Sequence, residues 1–401
     1  MVTLADIRVA EQRIAGHIIR TPVVYSPTLS AMTGAHIWFK LEALQKAGSF
    51  KVRGAANKIL AAGDKIKTSG VVAASAGNHA QGVVVAAHAA GVPAVIVMPE
   101  WAAISKQEAT RGYGAQVILH GKTLEESIAR AQGLAAEGRL FIHPFDDDEV
   151  IAGQGTVALE ILADLPETDQ IVVPVGGGGL IAGISVAAKA MRPLISIIGV
   201  QASACPSAGE SLRQDHPVRI CAGRTIADGI RVAEPGARTF PAIHEFVDRI
   251  VLASEDEIAD AMLLLLERKH IVAEGAGAAP LAALMNGSMD IEPGSTIVLV
   301  ISGGNVDSAM LFRIVRQSMA RQGRIMRFSV ILDDQPGTLA RLLAVIAEKR
   351  GNILHIHHTL GESNVPLQMA RVHLELETRG RDHIEAIKKA VAGAGYEMKI
   401  G

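Results

Sequence analysis

The sequence predicts an α/β protein with parallel sheets, followed by a smaller domain of βαββαβ order. Residues 71–98, 169–200 and 296–316 share one pattern: a short apolar run, a turn of small residues, then a helical pattern. Continuously apolar strands that alternate with helices are typical of parallel sheets covered on both faces. In such sheets, ligands bind where strands end and the next helices begin. We therefore expect a functional site at these turns.

The predicted elements follow this pattern along the first 322 residues and then change. In order, the first part is predicted to hold a helix within 1–16, a helix at 52–62, a strand at 71–74, a helix at 79–90, strands at 93–98 and 171–175, a helix at 180–191, and strands at 195–200 and 296–301. After about residue 323 the order is strand 326–332, helix 338–350, strands 352–358 and 369–377, helix 382–392 and strand 396–400. This is the ferredoxin-like order, so we predict one domain over 1–322 and another over 325–401.

Charge and composition argue against several classes of protein. With 39 basic and 41 acidic residues the formal net charge is −2, so no basic surplus exists for a nucleic-acid backbone. Cys205 and Cys221 cannot form a disulfide framework, which favours a reduced, cytoplasmic setting. Charged residues interrupt the first helix, and Gly91 and Pro93 interrupt the most apolar stretch, so neither a signal peptide nor a membrane span is predicted.

Four consecutive glycines, Gly176 to Gly179, lie between a predicted strand and Leu180, which begins a predicted helix. Backbone N–H groups without neighbouring side chains can converge on a phosphate, and the helix N-terminus adds a positive potential. The segment also fits a dinucleotide fingerprint, but the next strand leads into Gln201, where that fingerprint expects an acidic residue. A monophosphate is therefore preferred, and glycines that only permit a tight turn are the alternative.

Lys51 follows Phe50 and precedes a predicted helix. Partial burial and the positive end of a helix both lower an amine pKa, which suits a lysine that forms a Schiff base. Most lysines at helix starts are nevertheless hydrated. Lys40 and Lys46 serve as ordinary lysines for comparison.

Two further turns are candidates for ligand binding. The segment Ser75-Ala76-Gly77-Asn78-His79 offers hydroxyl, amide and backbone donors that suit a small carboxylate, although Ser75 and Asn78 could equally cap a helix. Ser302 follows the last strand of the first domain, where its neutral hydroxyl could bond a heterocyclic nitrogen or only form a turn.

Five motifs occur in the order seen in the serine/threonine dehydratases: Ser49-Phe-Lys-Val-Arg-Gly-Ala, Ser75-Ala-Gly-Asn-His-Ala, Gly176-Gly-Gly-Gly-Leu, Glu274-Gly-Ala-Gly and Ser302-Gly-Gly-Asn. Residues 5–318 thus resemble that family, which has the two-lobed type II pyridoxal-phosphate (PLP) fold, also called tryptophan synthase beta-like. The segment with Asp334-Gln-Pro-Gly-Thr-Leu and Gly351-Asn-Ile resembles an ACT domain, an amino-acid-sensing module. The resemblance implies a PLP-dependent catalytic domain over 1–322, with a small lobe at approximately 45–145, and an ACT regulatory domain over 325–401.

The resemblance also implies roles for the motif residues. Lys51 would carry the cofactor as a Schiff base, and Phe50 would pack on its ring. Asn78 would bond the phenolic oxygen and Ser302 the pyridine nitrogen. The backbone of the glycine loop would hold the phosphate: Gly176, Gly177, Gly178, Gly179 and Leu180. The substrate carboxylate would be held by the second motif: Ser75, Ala76, Gly77, Asn78 and His79. Glu274 would lie near the cofactor, with no role assigned.

The activity implied is α,β-elimination of L-threonine to 2-oxobutanoate and ammonia, with L-serine as a further substrate. A serine-preferring dehydratase, a PLP enzyme performing β-replacement and a non-catalytic amino-acid sensor are the alternatives. The neutral Ser302 favours elimination over transamination or racemisation. Racemisation also requires a second acid/base, and this chain has Ala76 at the corresponding position.

No metal site is predicted. Residues 201–207 contain no carboxylate where some relatives bind a divalent cation, although a monovalent ion on backbone carbonyls remains open. His355 and His357 would share one face of a strand, but no acidic or cysteine partner is near them in the sequence.

The ACT resemblance implies partners for the C-terminal domain. Gly337 and Asn352 lie where such domains commonly receive an amino acid between paired copies. We expect a homodimer or homotetramer whose paired ACT domains tune activity, with isoleucine or valine as the effector.

Overall fold

The computed structural model of the protein describes residues 1–361 and 363–400. The chain divides into two compact units, Met1–Val306 and Asp307–Gly401. Within the described residues, the first unit contains a six-stranded and a four-stranded sheet, and the second unit contains a four-stranded sheet.

The elements predicted from the sequence occur in the expected order, and the first unit contains others between them that were not predicted. The strands are β1 (Val23–Tyr25), β2 (His36–Lys40), β3 (Val71–Ala74), β4 (Ala94–Met98), β5 (Gln116–Leu119), β6 (Leu140–Phe141), β7 (Gln170–Pro174), β8 (Ser196–Ala202), β9 (Arg249–Ala253), β10 (Thr296–Val300), β11 (Ile325–Asp333), β12 (Asn352–Thr359), β13 (Met369–Glu377) and β14 (Met398–Ile400). The α-helices are α1 (Leu4–Ile14), α2 (Pro27–Thr33), α3 (Lys51–Ala62), α4 (Asn78–Ala89), α5 (Ile104–Gly112), α6 (Leu124–Ala136), α7 (Asp148–Asp164), α8 (Gly179–Met191), α9 (Ser207–Gln214), α10 (Phe240–Phe246), α11 (Glu255–Lys269), α12 (Gly275–Met285), α13 (Ser308–Arg321), α14 (Thr338–Glu348) and α15 (Arg381–Gly393).

Both sheets of the first unit are built mainly from parallel strands. The larger sheet has the order β1-β2-β10-β7-β8-β9, in which only the β1–β2 pair is antiparallel. The smaller sheet has the order β5-β4-β3-β6 and is parallel throughout. Every residue of β3, β4 and β10 is buried, which explains why these strands are apolar apart from Thr296. The predicted α/β class with parallel sheets is confirmed.

The second unit contains the predicted βαββαβ order. Its sheet is antiparallel, with the order β12-β13-β11-β14. Leu342 and Ile346 of α14, with Ile387 and Val391 of α15, are buried against apolar residues of the sheet. Strand β12 lies at the sheet edge and is almost wholly exposed. This separate antiparallel sheet agrees with a small regulatory domain.

Helix α13 groups with the second unit, although the sequence places the domain boundary after it, at residues 322–325. Arg316 of α13 pairs with Glu375 of β13, and Arg327 of β11 donates to the same carboxylate at 3.0 Å. These two arginines lower the pKa of Glu375, although partial burial opposes them.

None of the helices in the described part of the chain combines the length and apolar character needed to cross a membrane.

A cluster of four buried charged side chains lies beside the N-terminal turns of α3. Arg53 donates to the carboxylates of Glu42 and Glu160, each at 2.7 Å, and Lys40 donates to Glu160 at 2.5 Å. Arg53, Lys40 and Glu42 have no exposed surface, and Glu160 is 6% exposed. Lys40, named above as an ordinary lysine for comparison, is thus not hydrated, because the fold buries its amine and supplies a carboxylate partner. Two cations and two carboxylates make the ion cluster formally neutral.

Glycines let the neighbouring helices approach α3 closely. A Cβ atom on Gly153 of α7 would lie 2.7 Å from the Cα atom of Gly54. A Cβ atom on Gly82 of α4 would lie 2.9 Å from the backbone of Lys51. Together with the ion cluster, these contacts hold the first turn of α3, and therefore Lys51, against α4 and α7.

Candidate active site

Three motifs that are distant in the sequence meet through backbone hydrogen bonds. The N–H of Phe50 donates to the carbonyl of Ser302 at 3.1 Å, and the N–H of Glu274 donates to the carbonyl of Gly303 at 3.1 Å. Ser302 lies two residues after the buried end of β10 and is itself 2% exposed. The lysine, glutamate and serine motifs therefore surround one location at the C-terminal edge of the large sheet, where parallel sheets bind ligands.

Lys51 is the first residue of α3 and is partly buried. Its Nζ donates to the carbonyl of Pro144 at 2.7 Å and lies 5.1 Å from the ring centre of Phe50. Loss of hydration lowers the pKa of this amine to about 8, although the charge of Glu274 opposes the shift. The amine can therefore lose its proton near neutral pH, as a nucleophilic lysine must.

We expect the rate at which the cofactor-free protein captures an aldehyde to rise with pH around a midpoint near 8. Only the unprotonated amine attacks a carbonyl, so the reactive fraction increases as pH passes the pKa of Lys51. Stopped-flow absorbance with PLP would measure this rate, with free lysine, whose side-chain pKa is about 10.4, as the reference amine. Equal midpoints for the protein and free lysine would show that burial does not activate Lys51.

The motif Ser75-Ala-Gly-Asn-His79 spans the turn before α4 and the first two residues of this helix, but its side chains do not cap the helix. Gly77 is the N-cap residue, and no side chain donates to or accepts from the first turn in the manner of a cap. Ser75 Oγ instead accepts from the N–H of Gly77 at 3.1 Å. Asn78 Nδ2 donates to Oε1 of Glu274 at 2.5 Å, across to another motif. The capping interpretation of Ser75 and Asn78 is therefore wrong, because these groups bond within the turn and across the site.

Glu274 is the N-cap residue of α12 and is 5% exposed. Burial raises the pKa of its carboxyl to about 7, with a further contribution from the charge of Asp228. Gly303 makes room for this side chain, since a Cβ atom on Gly303 would lie 2.3 Å from Oε1 of Glu274. The site therefore holds a lysine and a glutamate that both titrate near neutral pH, which is a common property of active sites.

His79 has a supporting contact. Its Nε2 donates to the carbonyl of Ile142 at 2.8 Å, so the proton of the neutral ring lies on Nε2. Burial, with the nearby charge of Lys51, lowers the pKa of His79 to about 3. The ring is therefore neutral at physiological pH and fixes the start of α4 against residue 142.

The glycine loop presents unbonded backbone donors. All of its residues are buried, and Gly178 adopts a positive φ of 96° as the N-cap of α8. Within the described residues, none of its N–H groups donates a hydrogen bond: Gly176, Gly177, Gly178, Gly179 and Leu180. Buried N–H groups are normally paired, so five unpaired donors at a helix N-terminus indicate a place for an anion.

Phe145 forms one wall of this loop. A Cβ atom on Gly177 would lie 2.4 Å from the ring of Phe145, and one on Gly179 would lie 3.0 Å from its backbone. The ring also meets that of His143 edge-on, with 4.8 Å between their centres.

We expect Gly177→Ala to weaken cofactor binding about 10- to 100-fold, since the methyl group would overlap Phe145 and overpacking costs about 1–3 kcal/mol. Fluorescence titration of the cofactor-free protein with PLP would measure the loss. Gly112→Ala is the matched control, because no atom lies within 4 Å of a Cβ atom at that position. Equal affinities for both variants would contradict this interpretation of the loop.

Three contributors to the site escaped the sequence analysis. Pro144 supplies the carbonyl for Lys51, Phe145 contacts the glycine loop, and Asn305 Nδ2 donates to Oδ1 of Asn78 at 2.8 Å. Pro144 and Phe145 follow β6, which has only two residues and therefore no recognisable apolar run. The signal that could have indicated these two residues is their position after a parallel strand, where ligands commonly bind. Asn305 belongs to the motif Ser302-Gly-Gly-Asn, but nothing in the sequence indicates that Asn78 is its partner.

The remaining candidates lie outside this group of residues. Gly337 is exposed with a positive φ of 88°, and Asn352 donates to Glu377 at 3.0 Å, both in the second unit. His355 and His357 are exposed on β12. Among residues 1–361 and 363–400, no three His, Cys, Asp or Glu side chains are arranged to hold a metal ion. Cys205 is buried and Cys221 exposed, and both are free thiols.

The chemistry of the site matches PLP, which carries one aldehyde and one phosphate. A partly buried amine with a lowered pKa suits the aldehyde, and the unpaired N–H groups of the glycine loop suit the phosphate. The residues present therefore fit this cofactor.

Comparisons with known proteins agree with the geometry. Residues 14–303 match the family model described as "Pyridoxal-phosphate dependent enzyme". The chain is 46% identical to an L-threonine ammonia-lyase of Thermotoga maritima, over 100% of both chains. It is also similar to two solved structures: a threonine deaminase from T.th. (TM-score 0.72, 42% identity, 76% of this chain and 99% of that chain) and maize serine racemase (TM-score 0.75, 37% identity, 80% of this chain and 99% of that chain). On these grounds, and on the site that its fold assembles, the chain belongs to the family of pyridoxal-phosphate dependent enzymes.

Proposed function

We propose that the protein deaminates L-threonine to 2-oxobutanoate and ammonia by PLP-dependent α,β-elimination. The observation that carries this proposal is the amine of Lys51, partly buried and titrating near neutral pH beside Glu274. The full-length relative from Thermotoga maritima, named as an L-threonine ammonia-lyase, supports the choice of substrate.

Each residue of the site would have a distinct role. Lys51 would hold the cofactor through its amine, the glycine loop would bind the phosphate, and the hydroxyl of Ser302 would form a hydrogen bond with the pyridine nitrogen. When bound, PLP supplies an electron sink for the negative charge that develops at the substrate Cα. The amine of Lys51, once free, would take the Cα proton, and loss of the β-hydroxyl as water leaves an enamine. Tautomerisation and hydrolysis of this enamine return the water and release ammonia, so the reaction has no other co-substrate.

The turn before α4 and the first residues of that helix would bind the substrate carboxylate. The N–H of Gly77 is bonded to Ser75, but those of Ala76, Asn78 and His79 donate no hydrogen bond within the described residues. Three N–H groups at a helix N-terminus suit a carboxylate. Ala76 offers no proton to the opposite face of Cα, so elimination is favoured over racemisation even though serine racemases share the fold.

Product analysis tests this function in the unmodified protein. With PLP we expect a yellow protein that borohydride bleaches, with the label on Lys51, and stoichiometric 2-oxobutanoate and ammonia from threonine alone. Parallel assays with serine, and with threonine plus a thiol, distinguish a serine-preferring dehydratase and a β-replacement enzyme. Product formation only when the thiol is present would reject the proposal.

We further propose that residues 325–401 form an ACT regulatory domain in a cytoplasmic homodimer or homotetramer. The exposed edge strand β12 and the separate antiparallel sheet support this, because an edge strand is suited to pairing with a second copy. Gly337 and Asn352 would contribute to a site for isoleucine or valine. Light scattering, calorimetry with each amino acid, and kinetics after deletion of 325–401 test it; a monomer that gives no binding heat and unchanged kinetics would overturn it.

A further inference from the structure

The amide group of Asn78 is held at both ends. Its Nδ2 donates to Glu274 at 2.5 Å, and its Oδ1 accepts from Asn305 at 2.8 Å. Turning the amide over would place its oxygen against the Glu274 carboxyl group and its N–H groups against those of Asn305. While Glu274 is ionised, only one orientation therefore keeps both bonds. A primary amide has two N–H groups, so the bond to Glu274 leaves the second available.

Glu274 is itself fixed in place. Its backbone N–H donates to the carbonyl of Gly303 at 3.1 Å, and its side chain is 5% exposed. A Cβ atom on Gly303 would lie 2.3 Å from Oε1 of Glu274 and 3.2 Å from Nδ2 of Asn78. The glutamate–asparagine pair therefore requires glycine at position 303.

We infer that Glu274 is a positioning residue, which orients Asn78 so that its second N–H donates to the phenolic oxygen of PLP. The inference rests on the proposed function, in which this site binds PLP, and on the contact with the phenolic oxygen that the family resemblance implies for Asn78. The reversed amide would present an oxygen to a phenolate and repel it. The observed orientation stabilises the deprotonated, negatively charged form of the bound cofactor.

The pH titration of the cofactor's visible absorbance reads out this orientation without measuring turnover. In Glu274→Ala the amide of Asn78 loses its acceptor. The midpoint of the absorbance titration should then rise by roughly 0.5–1 pH unit, which is the effect of about one hydrogen bond. Cofactor affinity should fall about 3- to 10-fold for the same reason. Glu274→Gln keeps a carbonyl acceptor for Asn78, so its midpoint should not rise. Gly303→Ala keeps the carboxyl group but displaces it from Asn78, so its midpoint should also rise.

A purely electrostatic role of Glu274 predicts a different pattern. The charged groups that interact with this carboxyl are Lys51, Lys106 and Asp228. Because the Glu274 charge raises the pKa of Lys51, removing it by either Gln or Ala would lower the midpoint, and by equal amounts. Glu257→Gln is the matched control, since Glu257 also accepts from an asparagine amide, that of Asn286 at 3.1 Å, at the start of α11.

Wild-type midpoints in both Glu274→Ala and Gly303→Ala, or equal shifts in the Gln and Ala variants, would overturn the inference. If Glu274→Ala does not fold, the comparison of Glu274→Gln with Gly303→Ala decides it in the same way. Failure of the wild-type protein to bind PLP through Lys51 would instead reject the proposed function.

Discussion

Lys51→Ala is expected to lower kcat/KM for threonine deamination at least about 10³-fold, because it removes both the covalent anchor and the proposed base. The variant should still bind PLP through its phosphate, since the glycine loop is unchanged, but borohydride should no longer attach a label. Coupled assay of 2-oxobutanoate and mass spectrometry of the reduced protein would measure the two effects.

Lys46→Ala provides the matched control for this loss. Lys46 lies five positions before Lys51 and is exposed, so its removal should leave kcat/KM nearly unchanged. Full activity in Lys51→Ala would contradict the central role of this amine. Inactivity of both variants would point to a general disturbance of the segment before α3.

Arg53→Met should lower the free energy of unfolding of the first unit by about 3–5 kcal/mol, because it leaves two buried carboxylates with too few partners. Arg53 donates to both Glu42 and Glu160, and after its loss Lys40 remains as the only cation of the ion cluster. Urea denaturation of the cofactor-free variant, followed by circular dichroism, would measure the change.

Arg13→Met tests whether burial is the reason for the large loss of stability expected in Arg53→Met. Arg13 also bonds α7, through Glu149 at 2.8 Å, and α3, through Asn57 at 2.7 Å, but its side chain is 28% exposed. An exposed pair contributes about 0–1 kcal/mol, so this variant should be much less affected. Equal losses in the two variants would show that the buried cluster has no special contribution to stability.

The regular elements were predictable because their signals are local. Buried strands such as β7 and β10 are apolar after their first residue, and the small residues that follow them identify the turns. The observed boundaries of elements differ from the predicted ones where a residue leaves the helical conformation. Helix α14 ends at Glu348 and not at the predicted residue 350, because Arg350 adopts a positive φ of 59°. The short strand β6 had no such signal, so the loop that contacts Lys51 was not predicted.

The site was predictable as a set of motifs but not as a set of contacts. A lysine after an aromatic residue and a run of glycines can be read from the chain, and the structure places the lysine at the start of α3 and the glycines between β7 and α8. That Lys40 is buried while Lys46 is exposed depends on which helices cover each residue. The same limit applies to the pKa of Lys51, because the loss of hydration that lowers it arises only after packing.

The sequence by itself determined the α/β class, the order of the elements and the turns that carry chemistry, since these depend on neighbours within a few positions. Only the tertiary structure decided that Glu274 holds Asn78, 196 positions away, and that Asn305, 227 positions away, holds its other end. In the sequence alone, many polar side chains could be the partner in such a hydrogen bond. The packing of α3, α4 and α12 at the edge of the large sheet selects one set of them.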